Sequence, residues 1–439
     1  MSEPRRIAGA LLVYRRPVSS HFRDAATIDE HIAAFARHSA YPVYEWNTEL
    51  GYPRGLEGVR FDAVVMHYSL FGHGGDAYPF SPLFGRYLDR SPDAHKVAFF
   101  HDEHAFCGRR FEFLSAHRID TVFTMLEPEQ LDAVYGQNTS VSKLVSHLPG
   151  YVGEGLLDAA ERFALPDSER PIDVGFRARP LEPYMGEDEK SEIARDFAER
   201  AAGAGLALDI EVGGESLLPG DEWYRFIASC KAMLGVESGT RCFDLRDEIY
   251  ADYLRLAAER DEVSVEDLRA AGALERWTDR IYYRTIGPRH FEAAALRVCQ
   301  VLFEGSYSGL MEPMRHYIPL KRDFSNFDEV LGRVRDPELR RELTENARRD
   351  LIDSGENSYA RLIEKLDAVL AEAGLEPGAR EGDAEAAARA LHRSPPARAL
   401  ESMRSTLSYH PVLSRALWRV SRPVLGPWRR WRRARIARD

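Results

Sequence analysis

Along the first 150 residues, short apolar runs alternate with amphipathic stretches. IAGALLVY (7–14), YPVYEW (41–46), FDAVVMHYS (61–69), KVAFFHD (96–102), TVFTML (121–126) and KLVSHLPG (143–150) read as strands, and TIDEHIAAFARH, FEFLSAHR and EPEQLDAVYG between them have helical spacing. Strands separated by helices build βαβ units, so the pattern predicts a doubly wound, Rossmann-like α/β domain over residues 1–160. Thr27 with Glu30 three residues on is the sequence of a capping box for its first helix.

Around ERFALPDSERP (161–171) the pattern relaxes into a polar, Pro-containing linker, and then it restarts. PIDVGFRA, LALDIEV and KAMLGVES read as strands, with helices over 190–205 and 222–230 and a polar helical insertion over 244–281. The stretch YRTIGPRHFEAAALRVCQVLFEGSYSGLMEP (283–313) and HYIPLKRD follow, and helices continue to about residue 373. A second α/β domain is therefore expected over 171–373, followed by a Gly, Ala and Pro-rich linker at 374–397 and a tail at 398–439.

Composition narrows the function classes. A chain of 439 residues with 44% hydrophobic and 10% aromatic content has enough apolar material for two cores. Four widely spaced cysteines without a CxxC pair predict neither a disulfide framework nor a zinc module. With no secretory h-region at the N-terminus and no apolar run of membrane-spanning length, a cytoplasmic chain is expected. The net charge of −11 conceals an asymmetry: residues 411–439 hold nine Arg and one acid, a local +8 that leaves −19 elsewhere. Nucleic acid is a poor partner for the acidic body, whereas an anionic membrane surface suits the tail. There Leu413, Ala416, Leu417 and Val420 share one helical face opposite Arg415, Arg419 and Arg422, and Trp428 and Trp431 alternate with arginines beyond Pro423.

In doubly wound sheets ligands sit beyond the C-terminal ends of the strands, where helix N-termini offer N–H groups to phosphates. Arg177 and Arg179 follow the first strand of the second domain and Lys190 opens the next helix, so they are candidates to hold a diphosphate; a solvated loop is the alternative. The dinucleotide fingerprint GxGxxG is absent. At the next strand end stand Glu237, Ser238, Gly239 and Thr240. Glu292 lies near a helix start, where its oxygens suit sugar hydroxyls and its charge suits the helix dipole. In the first domain FFHDEHAF places His101, Asp102, Glu103 and His104 at a strand end, candidates to meet an acceptor hydroxyl; a zinc reading of HDEH lacks the HExxH spacing.

RHFEAAALRVCQVLFEGSYSGLMEP resembles the nucleotide-binding segment of GT-B glycosyltransferases, particularly the retaining family 4, over about residues 171–370. The resemblance implies two Rossmann-like domains facing a cleft, with an acceptor on the first and a nucleoside-diphosphate sugar on the second. It assigns Glu292 to the nucleotide ribose and the diphosphate to Arg177 or Arg179 with Lys190. Arg289, Glu304 and Ser308 join them as candidate donor contacts. Where the family usually has a sugar-contacting Glu, this chain has Arg284, which leaves that role to Glu237 or Glu304. No two Asp are separated by a single residue, so the DxD metal motif is missing and fixed cations are expected to serve the diphosphate without metal or other cofactor. The expected function is transfer of a sugar to a glycan or lipid-linked acceptor of the cell envelope at the inner membrane face. A sugar-nucleotide epimerase and a noncatalytic sugar-nucleotide-binding scaffold are the rivals.

Overall fold

The computed structural model describes residues 3–17, 26–71, 82–186, 188–213, 218–260 and 262–392. The tail at 398–439 and its amphipathic pattern lie outside the described residues.

The first sheet is wholly parallel, with strands β1 (Arg5–Tyr14), β2 (Val43–Asn47), β3 (Val59–Met66), β4 (His95–Phe99), β5 (Thr121–Thr124) and β6 (Lys143–Ser146) in the order β2-β1-β3-β4-β5-β6. The second domain contributes β7 (Ile172–Ala178), β8 (Leu208–Val212), β9 (Cys230–Gly235), β10 (Ser238–Cys242), β11 (Thr278–Thr285), β12 (Cys299–Phe303) and β13 (Ile318–Leu320). Five of these form a second parallel sheet in the order β13-β12-β9-β7-β8. Central strands such as β12 are buried along their whole length, as expected of parallel sheets covered on both faces. Two Rossmann-like domains, each reversing strand order once, form the expected GT-B architecture. The reversals, β1/β3 in the first sheet and β7/β9 in the second, are where such sheets open a crevice.

Domain membership departs from the sequence reading in three places. The helix Glu154–Phe163, expected to close the first domain, buries Leu156, Ala159 and Ala160 against Tyr224, Phe226 and Phe291 of the second. Conversely, the helix Tyr359–Glu372, expected in the second domain, packs Leu362, Ile363 and Leu366 onto Ile32 and Phe35 of the first. The stretch expected as linker contains the helix Asp383–Leu391, whose Ala386, Ala387 and Ala390 join the first domain's core. The Thr27–Glu30 capping box is not realised either, because Glu30 accepts the Gly155 N–H at 2.6 Å and so serves the start of the helix Glu154–Phe163.

The insertion also differs from expectation. Its helices Glu248–Glu259 and Val265–Ala270 are flanked by an antiparallel pair, β10 and β11, that leaves the second domain and enters the first. Phe243, Ile281 and Tyr283 are buried in the same apolar cluster as Phe100, Phe111 and Tyr135. All four cysteines are buried and free.

Asp383 fastens the returning chain. It is 2% exposed, accepts the Ala8 N–H at 2.8 Å in the irregular stretch of β1, and pairs with Arg5 and Arg380. Burial raises its carboxyl, but the Ala8 N–H and the two guanidinium groups outweigh it and leave it below the usual range. Asp383→Ala strands a buried N–H and should destabilise the first domain by about 1–3 kcal/mol, read as a lower urea midpoint. A depressed carboxyl stabilises above its unfolded value and loses that contribution as pH falls through its folded value, so the gap between the two proteins should close on acidification.

Candidate functional site

The loop after β4, the loop after β7 and the segment between β11 and the helix Pro288–Ala295 meet between the domains. From the first domain come His101 and Asp102, whose Nδ1 and Oδ2 atoms are 3.0 Å apart. Burial pulls the His101 imidazole down, but the Asp102 carboxylate and then Glu103 hold it above its usual value. Asp102 is itself left-handed, with φ 55°, so the backbone reverses where the pair is presented.

Glu103 corrects the sequence reading. It is fully buried, and its carboxylate accepts from the Thr124 hydroxyl, the Met125 N–H at 2.7 Å and the Tyr135 hydroxyl. Every one of those donors belongs to the first domain, so Glu103 supports the loop and does not face an acceptor.

From the second domain come Lys190 and Arg289. Burial and then the Arg289 guanidinium lower the Lys190 ammonium, against the pull of Asp102 and Asp188. Arg289 stands over the rings of Phe176 and Trp223, at 5.2 and 5.3 Å from their centroids. Neither cation has an ion pair within salt-bridge distance among the described residues; Glu292 acts on Arg289 from farther away. Two like charges brought together in a partly dry place are unfavourable unless an anion joins them, and both cations lie in the first turn of a helix, Lys190 in Glu189–Arg200 and Arg289 in Pro288–Ala295. His290 caps that helix by accepting the Gly287 N–H at 2.9 Å, and burial pushes its imidazole down to about 3, so it adds no charge.

Glu292 lies one turn into the same helix, only 9% exposed, and its Oε2 accepts the Trp223 indole N–H at 2.8 Å. Its burial raises the carboxyl above the usual range. Trp223 escaped the sequence reading because it sits among the apolar positions of EWYRFIASC and looks like core; its indole N–H is what joins it to the site.

The other candidates are placed elsewhere. Arg177, expected on the diphosphate, is spent on β8: it pairs with Asp209 at 2.7 Å, bonds the Asp209 carbonyl, and lies over the Phe226 ring. Arg179 is exposed beyond the end of β7. Arg284 shares Glu189 with Arg322, each at 2.6 Å, so its charge is neutralised beside Lys190. Glu237 is not free to grip a sugar, since it accepts the Tyr307 N–H at 2.7 Å and the Tyr282 hydroxyl at 3.0 Å; it pins the loop after β12. Gly305 allows this because a Cβ there would run into the Glu237 carboxylate. Glu304 is exposed in that loop, and the Ser308 hydroxyl is 2.7 Å from that of Thr285, tying the loop to the end of β11.

Among the described residues no group of three His, Cys, Asp or Glu is arranged to hold a metal ion, and no helix is long and apolar enough to cross a membrane. A recess of about 590 Å³ lined by Arg6, Asp62, His95 and Asp120 lies at the N-terminal ends of the first sheet's strands, the opposite end from these charges.

No family model matches the chain, and no curated protein matches it. Among solved structures, an alpha-glucosyltransferase in complex with UDP is similar at 10% identity, with a TM-score of 0.48 over 83% of this chain and 99% of the other. An alpha,alpha-trehalose-phosphate synthase (UDP-forming) from Burkholderia vietnamiensis is similar at 12% identity, with a TM-score of 0.43 over 85% of this chain and 100% of the other. TarM is similar at 13% identity, with a TM-score of 0.38 over 69% and 53%. Identities this low leave the chemistry to be read from the residues themselves.

If Lys190 and Arg289 form an anion site, Lys190→Ala and Arg289→Ala should each weaken binding of inorganic pyrophosphate by roughly tenfold or more, the loss expected of a hydrogen bond to a charged group. Arg177→Ala should lower thermal stability and leave pyrophosphate affinity unchanged. Calorimetry on the three variants checks both outcomes.

Proposed function

We propose that the chain is a glycosyltransferase that moves a sugar from a nucleoside-diphosphate sugar to a hydroxyl of an acceptor held by the first domain. The observation that carries this reading is the pairing of two cations without a bonded carboxylate, Lys190 and Arg289, with Glu292 beside them on the same helix start. A diphosphate that gains negative charge as the sugar departs is stabilised by cations fixed in advance. Glu292 uses one oxygen on Trp223, which leaves the other to accept from ribose hydroxyls. His101 and Asp102 face this point from the first domain and suit an approaching acceptor hydroxyl. Retention of configuration and independence of metal belong to the proposal and follow the family resemblance. A glycan or lipid-linked acceptor fits better than nucleic acid, given the charge of −19 outside residues 411–439.

Incubation with a panel of nucleoside-diphosphate sugars and neutral glycans should release nucleoside diphosphate with glycosylated product; release of an isomerised sugar nucleotide would favour an epimerase, and binding without turnover a scaffold. Turnover should survive EDTA, and loss restored by Mg²⁺ or Mn²⁺ would overturn the metal-free mechanism. Glu292→Gln should weaken donor binding. Because burial raises Glu292, donor affinity should fall on acidification already above the ordinary value of 4.5, as the carboxylate protonates. Because Lys190 is lowered, affinity should fall again on the alkaline side below the ordinary 10.5, as its charge is lost. A bell-shaped profile of donor Kd against pH is the expected outcome.

We also propose that the tail holds the protein at an anionic membrane surface. The nine arginines of residues 411–439 contribute about 1 kcal/mol each near such a surface, and the helix Asp383–Leu391 that precedes the tail packs on the first domain. The intact chain should float with anionic liposomes at low salt and be released at high salt, whereas a chain ending at Ser394 should stay unbound; equal behaviour would refute the anchor.

A further inference from the structure

Four aromatic side chains from three separate segments meet at the edge of the cleft. Phe106 follows Asp102 in the loop after β4, Tyr184 lies in the loop after β7, and Tyr250 and Tyr253 project from the insertion helix Glu248–Glu259. The Phe106 and Tyr250 rings are 4.9 Å apart and edge to face, Tyr184 is 5.1 Å from Tyr250 and 5.2 Å from Tyr253, and Phe106 is 6.1 Å from Tyr184. Phe106 shares its loop with Asp102, the loop of Tyr184 leads into the helix Glu189–Arg200 that carries Lys190, and Asp102 and Lys190 act on each other, so the rings flank the approach to the point where the proposed transfer would occur.

Packing between domains alone does not account for these residues. None of the four rings is fully buried. Phe106 is held left-handed at φ 59°, ψ 32°, a conformation that is strained for a bulky residue and that Gly or Asn would adopt more readily. The hydroxyls of Tyr184 and Tyr253 have no hydrogen-bond partner among the described residues. Burial, followed by Glu182 and the neighbouring tyrosines, pushes the Tyr184 phenol up to about 12, so it keeps its proton and stays a donor as well as an acceptor. Flat apolar faces beside unused hydroxyls complement a pyranose ring, which has an apolar C–H face and a rim of hydroxyls. The Glu182 charge acting on Tyr184 disfavours a phosphate-bearing ligand.

We propose that Phe106, Tyr184, Tyr250 and Tyr253 form a binding platform for a neutral glycan, the acceptor of the transferase, one of whose sugar rings stacks there beside His101 and Asp102. This rests on the glycosyltransferase reading for its role, and not for the binding itself.

The test probes the full chain against an array of immobilised neutral and phosphorylated oligosaccharides, with UDP-glucose affinity measured separately by calorimetry. The full chain should be retained by a subset of the glycans. Tyr184→Ala and Tyr253→Ala should each weaken retention by about tenfold, the worth of one stacked ring, while UDP-glucose affinity stays unchanged. Tyr253→Phe, which keeps the ring, should retain more than Tyr253→Ala and controls for folding. Retention of no neutral glycan, retention confined to phosphorylated ligands, or equal retention by the alanine variants would overturn the platform. Ring-dependent glycan retention without any sugar-nucleotide binding would instead uphold the platform and remove the transferase reading.

Discussion

A carboxylate buried away from water must be met by donors, and at Glu103 that requirement organises the junction of the two domains. Its oxygens take the Thr124 and Tyr135 hydroxyls and the Met125 N–H, which fixes the loop after β4 to the end of β5. The loop's main chain is then committed as well. The Glu103 N–H donates to the Tyr283 hydroxyl at 2.8 Å, and its carbonyl accepts from Arg110 at 2.8 Å. Tyr283 belongs to β11 of the second domain, so a buried acid of one domain positions a strand of the other. Asp102 and Phe106, the left-handed residues on either side, are held by this framework, and with them the face that the first domain shows to the cleft.

The second domain solves the opposite problem. Where Glu103 is a charge with every partner in place, Lys190 and Arg289 are charges held back from partners. Their neighbours show how this is arranged: Glu189, adjacent to Lys190, is taken by Arg284 and Arg322, and Glu292 is drawn toward Trp223. The nearby acids are thereby occupied and the two cations stay available to an anion. Arg284, which looked like the loss of a sugar-contacting acid, acquires a physical role in this arrangement by absorbing Glu189.

Both parallel sheets were legible in the sequence because strands covered on two faces are apolar throughout, as in CQVLF and TVFT. The antiparallel pair was not, because SGTRC and TDRIYYRT are largely polar and owe their pairing to where they dock. The helix starts that carry Lys190 and Glu292 were legible from the sequence, and both residues lie there. The division of labour between adjacent residues was hidden: Asp102 faces the cleft while Glu103 turns into the core. Arg177 could be recognised as a structural ion pair only once β7 was known to lie beside β8, which brings Asp209 and Glu211 alongside it. The domain ends were misplaced for a similar reason, since an amphipathic helix shows that it packs and not what it packs against.

The segment 283–288 ties these features together. At one end Tyr283 is bonded to Glu103, and at the other Pro288 lies so close to Gly150 that a side chain at 150 would strike its ring. Between them the Ile286 N–H and the Thr285 hydroxyl are held by Ser308, and Gly287 lies so close to the Ser238 hydroxyl that a Cβ there would force that side chain to move. The first domain thus grips both ends of the strip that leads into the helix bearing Arg289 and Glu292. Cations stabilise developing charge without rearranging only if they are fixed in advance, and this strip, held at both ends, is what fixes Arg289.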